Sequence, residues 1–100
     1  MWIEIEGGSK EKRELIRDMS WWLGQRLLGK RLTNNIQINV AFKRDPKADG
    51  WCSWEDDNVR PREFEVIIRS GLNLKQTGLT FCHEFVHVKQ FAKGELRDKF

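Results

Sequence analysis

The chain lacks the residues on which several common architectures depend. Its two cysteines, Cys52 and Cys82, form no CxxC pair and make no disulfide framework, so two free, buried thiols in a reducing compartment are expected. A Cys52–Cys82 bridge would require their two elements to pack side by side. No apolar run approaches the roughly 18 residues of a membrane span. The opening MWIEIEGGSKEKRE has no positive segment leading into an apolar core, which argues against a signal peptide and for the cytoplasm. There is no internal repeat and no low-complexity tract. The acidic run Glu55-Asp56-Asp57-Asn58 lacks the glycine and the closing glutamate of a calcium loop and reads as a solvated turn.

What remains is ordinary for a small folded protein. One hundred residues, 39% hydrophobic and 33% charged, imply a single domain spanning 1–100, with a core that is adequate but not large. The net charge of +3 is mildly basic and spread along the chain. Solvated faces account for most of it, and a weak phosphate-binding patch is a lesser alternative.

Periodicity orders the elements. Trp2 to Glu6 alternates as a short strand closed by Gly7-Gly8. Ser9 is placed as the N-cap of a helix from Lys10 to about Leu28, with Leu15, Met19, Trp22, Leu23 and Leu27 on its apolar stripe. Gly29 ends it, and Leu32 to Asn35 reads as loop. Ile36 to Phe42 is the clearest strand. Lys43 to Gly50, with Asp45-Pro46 and Asp49-Gly50, reads as turn. Strands follow at 51–55 and at Glu63 to Arg69. Asn73 and Gln76 form a capping box for a last helix reaching Ala92 or Lys93, with Phe81, Phe85, Val88 and Ala92 toward the core. The order β-α-β-β-β-α with hairpin-length connections predicts an α+β fold, two helices on a small, mostly antiparallel sheet.

Tryptophan is abundant, with five residues. Trp22 is expected to anchor the core. Trp51 and Trp54, three apart on a strand, should face opposite ways, so at least one is exposed, as packing surface or as the wall of a cleft.

Histidine is scarce, and its placement is the main functional signal. The only two are His83 and His87, within His83-Glu84-Phe85-Val86-His87 on the last helix. Four helical residues advance about 400° and rise about 6 Å, so both imidazoles project from one face and can reach one metal ion. Glu84 is rotated about 100° from His83 and can approach a water beside that metal without being a ligand. This is the HExxH arrangement: two histidines for Zn2+ and a glutamate as general base. Zinc would activate a water and polarise a peptide carbonyl, while Glu84 would take the proton and pass it to the leaving amine. Peptide-bond hydrolysis is the activity this predicts.

A catalytic zinc needs a third protein ligand, and no histidine is left. Glu95 lies too far along a continued helix, but a reversal at Gly94 would return it toward the metal. Asp98 and the terminal carboxylate of Phe100 are further options. Glu63 and Glu65 are remote ones, and the sulfur of Cys82 points away.

The stretch from Gly78 to Leu96, GLTFCHEFVHVKQFAKGEL, resembles small phage and bacterial zincin-like proteins related to SprT-type metallopeptidase domains. The resemblance covers the last third of the chain, with a looser match in the strand Glu63 to Arg69. It implies a minimal zincin fold, with His83 and His87 as zinc ligands, Glu84 as catalytic base and an edge strand, 51–55 or 36–42, that pairs with an extended peptide substrate. Relatives continue into a helix that often supplies the third ligand. Here thirteen residues follow His87, so Glu95 or a neighbour completes the site, or it is incomplete. The resemblance also admits DNA-bound proteins, or DNA itself, as partners. It leaves open a non-catalytic binding module that holds a peptide, and a form that has lost its metal.

Overall fold

The computed structural model describes residues 1–44, 47–56 and 61–95. The expectations for Asp45-Pro46, Asp57-Asn58, Asp98 and Phe100 lie outside them. Strand β1 (Trp2–Glu6) leads through Gly7 and Gly8, both at positive φ, into helix α1 (Lys10–Leu23). Ser9 caps α1 by accepting a hydrogen bond from the Lys12 amide at 3.2 Å. Beyond Leu23 the helix widens into a π-helical turn (Gly24–Leu28), closed by the bond from the Gly29 amide to the Gly24 carbonyl. A single helical turn, α2 (Lys30–Thr33), takes up the first two residues of the loop expected at Leu32 to Asn35. The Thr33 hydroxyl holds it by donating to the Gly29 carbonyl at 2.6 Å. Strands β2 (Gln37–Lys43), β3 (Gly50–Trp54) and β4 (Glu63–Arg69) follow, and α3 (Leu74–Ala92) ends the described fold. Asn73 and Gln76 make the expected reciprocal capping box.

The four strands form one mixed sheet in the order β1-β2-β4-β3. β1 pairs with β2 and β2 with β4 in parallel, and only β3 runs antiparallel, against β4. The mostly antiparallel sheet is therefore corrected. The helical segment between β1 and β2 is a crossover, which is what parallel neighbours require. The link after β2 skips one position, so β4 returns between β2 and β3. The interior place suits β4, whose Phe64, Val66 and Ile68 are all fully buried. β3, with a glycine and a serine in five residues, takes the edge. Of the two strands expected to hold a substrate edge, 36–42 is interior, and only the 50–54 strand has a free side among the described residues.

Helices α1 and α3 pack together on one face of the sheet. The core joins Ile38, Val40, Phe64, Val66 and Ile68 of the sheet to Ile16 of α1 and to Phe81, Phe85, Val88 and Phe91 of α3, each no more than 2% exposed. Trp22 is a second correction. It is 57% exposed, and Arg26 lies over its ring at 4.4 Å. The buried stripe of α1 is Ile16, Ser20 and Leu23, a phase in which the hydroxyl of Ser20 donates to the Ile16 carbonyl at 2.6 Å. A serine can enter the core because its helix carbonyl satisfies it. Trp54 points inward and packs edge-on against Phe91 at 4.7 Å, while Trp51 is 42% exposed.

Candidate metal centre

Helix α3 presents three faces. Phe81, Phe85 and Val88 enter the core. His83 is exposed and His87 half-buried on the opposite side, with ring centroids 4.9 Å apart and planes nearly perpendicular. Glu84 lies between these faces and is only 6% exposed, wedged where α3 meets the first residues of β3.

Gly50 makes that wedge possible. A Cβ there would stand 2.5 Å from Thr80 Cγ2 and 2.8 Å from Glu84 Oε2, inside van der Waals contact. The missing side chain lets the edge strand close over the carboxylate. The Asp49-Gly50 pair reads from sequence as turn punctuation, and its role as a packing gap leaves no separate signal.

Burial raises the Glu84 carboxyl above its ordinary value, and the positive charges available to His83 and His87 oppose the rise. A carboxylate displaced this way is a stronger proton acceptor than one in water. Cys52, on the inward face of β3, is also buried. Its thiol is raised, first by burial and then by the charge on Glu84, so it stays protonated beside the site. Both cysteines are free although β3 and α3 pack together.

His87 Nδ1 is 3.1 Å from Gln90 Oε1. Read with Nδ1–H donating to the amide oxygen, this bond assigns the lone pair to Nε2, the usual role of a supporting partner for a metal-binding imidazole. Gln90 was not foreseen, although three residues along a helix is a contacting distance.

Two adjoining hollows of about 350 and 370 Å³ run between β3 and α3, and Gly50, His83 and Glu84 line both. One extends to Asp49 and Thr80, the other to Trp51, Cys52 and His87. Together they form an open groove beside the free edge of β3.

The remaining carboxylates are elsewhere. Gly94 does reverse the chain, with φ +73°, and the Glu95 amide bonds to the Gln90 carbonyl at 2.7 Å. The Glu95 side chain then meets Lys89 at 2.8 Å, not the histidines. Glu63 and Glu65 alternate with the buried residues of β4 and so point to the other face of the sheet. Among the described residues, no three histidine, cysteine or acidic side chains converge on one metal position. Two imidazoles on one helix face, beside a buried carboxylate, are the donors the described residues bring together.

The chain matches no protein-family model, and no curated protein or solved structure is significantly similar to it. Among the described residues, no helix is long and apolar enough to cross a membrane.

Proposed function

We propose that this chain is a zinc-dependent peptidase of minimal zincin type, in which His83 and His87 hold the metal and Glu84 is the general base. The observation that carries it is the position of Glu84, a buried carboxylate beside two helix-mounted imidazoles, at the wall of a groove along a strand edge that pairs with no other strand among the described residues. When bound, zinc would supply Lewis acidity toward a peptide carbonyl. The chain's own residues supply the rest. The free edge of β3 offers main-chain donors and acceptors to an extended peptide. The raised carboxyl of Glu84 accepts a proton on the groove side and returns it to the departing amine. Gln90 holds the His87 ring. The resemblance of residues 78–96 to SprT-type domains leads to the same reading.

Zinc content of protein purified without chelator tests the metal, with one ion per chain expected and its loss in His83→Ala. Hydrolysis of a labelled unstructured protein tests the chemistry. Glu84→Gln should abolish turnover with an unchanged circular dichroism spectrum, and full turnover in that variant removes the mechanism.

One observation favours a second reading, a peptide-binding module of the same fold without turnover: Glu95 is engaged by Lys89. Stoichiometric zinc and peptide binding, with no hydrolysis in the parent protein, would select it.

A further inference from the structure

Helix α3 carries an apolar stripe that the described fold does not cover. Leu79 is 63% and Val86 38% exposed, although Phe81, Phe85 and Val88 of the same helix are fully buried. Leu79 and Val86 are seven residues apart, which places them within about 20° of one another around the axis. His83, exposed, falls between them in the chain, and Gln90 follows Val86 by four. Leu79, His83, Val86 and Gln90 all lie within about 60° of the helix circumference. They form one row on its outer side. His87 flanks that row on the side of β3, where it lines the groove with Glu84.

The spacing of the row is four, three, four, and it reads the same from either end. A second copy of α3 laid antiparallel therefore matches it about a two-fold axis. Leu79 then meets Gln90 of the second copy, and His83 meets its Val86. The midpoint of the row falls half a residue from the midpoint of His83 and His87. The two histidine pairs, one from each copy, thus come level to within about 1.5 Å along the helix. The cations of α3 do not oppose one another in this register. Lys75 faces Gly94 of the second copy, Lys93 faces its Gln76, and Lys89, already paired with Glu95 at 2.8 Å, faces its Thr80.

Within one chain, the described residues bring together two imidazoles and no third metal donor. A zinc ion held for structure takes four protein ligands. We propose that zinc is held between two copies of this chain, by His83 and His87 of each, across an antiparallel contact of α3 with α3. The inference rests on the metal half of the proposed function. Two exposed apolar side chains per copy offer far less than the roughly 800 Å² per partner of a stable interface. The chain is therefore a monomer without zinc, and the metal supplies the missing association energy. Four imidazoles complete a tetrahedral ion and leave it no open position. The shared form has no place for a substrate carbonyl, so the monomer with its own zinc is the working form. Excess metal gives every histidine pair an ion of its own and separates the copies.

The test is the light-scattering mass of the full chain at about 0.1 mM as zinc is titrated. Stripped of metal, it should be that of one chain, 11.9 kDa. With about half an equivalent of zinc it should rise toward twice that value, and with about a tenfold excess it should fall back. Val86→Lys keeps both imidazoles but sets like charges against each other at the contact. It should weaken dimerisation about tenfold or more, with one zinc per chain still bound, while Val86→Ile should behave as the parent. Leu79→Lys, at a more exposed position, should act in the same direction and decides the matter should Val86→Lys fold poorly. A parent that binds one zinc per chain and stays monomeric at every ratio overturns the sharing, leaves the peptidase reading intact and gives the row to a partner other than this chain. A dimer that forms without metal, or that ignores both lysine variants, overturns it as well. Zinc binding that is absent at every ratio removes this inference and the peptidase reading together.

Discussion

Helices α1 and α3 pack side by side on the same sheet face, yet they treat their aromatic residues in opposite ways. α3 turns Phe81, Phe85 and Phe91 fully into the core, while α1 leaves Trp21 and Trp22 more than half in water. The core side of α1 is served instead by Ile16, Leu23 and the self-satisfied Ser20. The difference separates two uses of a large ring. On α3 it fills volume, and on α1 it presents area. The hydrophobicity of a residue does not decide which use applies; the phase of the helix does.

That contrast can be broken at its strongest point first. Phe85→Ala empties a fully buried position that also meets Phe81 edge-on at 5.8 Å. A loss of about 3–5 kcal/mol in urea-denaturation stability is expected, and a loss below about 1 kcal/mol would mean that α3 is not the core helix described. Gly50→Ala comes next. Its methyl group must displace Thr80 or Glu84, at about 1–3 kcal/mol by the same measurement, and the groove beside β3 should widen. Any hydrolytic rate should fall with it.

Glu84→Gln tests the burial of charge on α3 in metal-free protein. A carboxyl with a folded pKa above its unfolded value favours folding below the unfolded value and loses that contribution as pH rises through the folded one. The parent should therefore lose stability as pH rises above about 4.5, the ordinary carboxylate value, and the variant should not. Melting temperatures measured across pH should show the gap opening in the variant's favour. Parallel curves would place Glu84 in water. Trp22→Ala is expected to have the smallest effect, within about 1 kcal/mol, the cost of one exposed cation–π contact. A cost several times larger would make Trp22 a core residue after all.

Much of this architecture was legible from residue types. The strand at Glu63 to Arg69 and the capped helix after Asn73 appear with their expected bounds, because alternation and a capping box are local signals. The turn of α1 about its axis was not legible. Trp22 fits a spacing of three and four as well as Leu23 does, and only the sheet's position decides between them. Strand direction was also hidden, since short connections suggest hairpins and nothing local says that β4 will return between β2 and β3. At the site, the three motif residues lie together as helix geometry requires. Glu95 reverses at Gly94 as foreseen but finds Lys89, a partner that backbone reasoning does not rank. The contribution of Gly50 depends on a contact between two elements and exists only in three dimensions.

The π-helical turn at Gly24–Leu28 gives the chain a place where its length can change. A loop closed over five residues, from the Gly29 amide to the Gly24 carbonyl, can lose one residue and still close as an ordinary α-turn. Such a deletion would turn α2 by about 100° relative to α1 and would have to remake the bond from the Thr33 hydroxyl to the Gly24 carbonyl. Descendants of this sequence could thus re-aim Lys30 and Arg31 by a change in residue count alone, and an alignment of them would show it as a single-position gap between tryptophans and lysine.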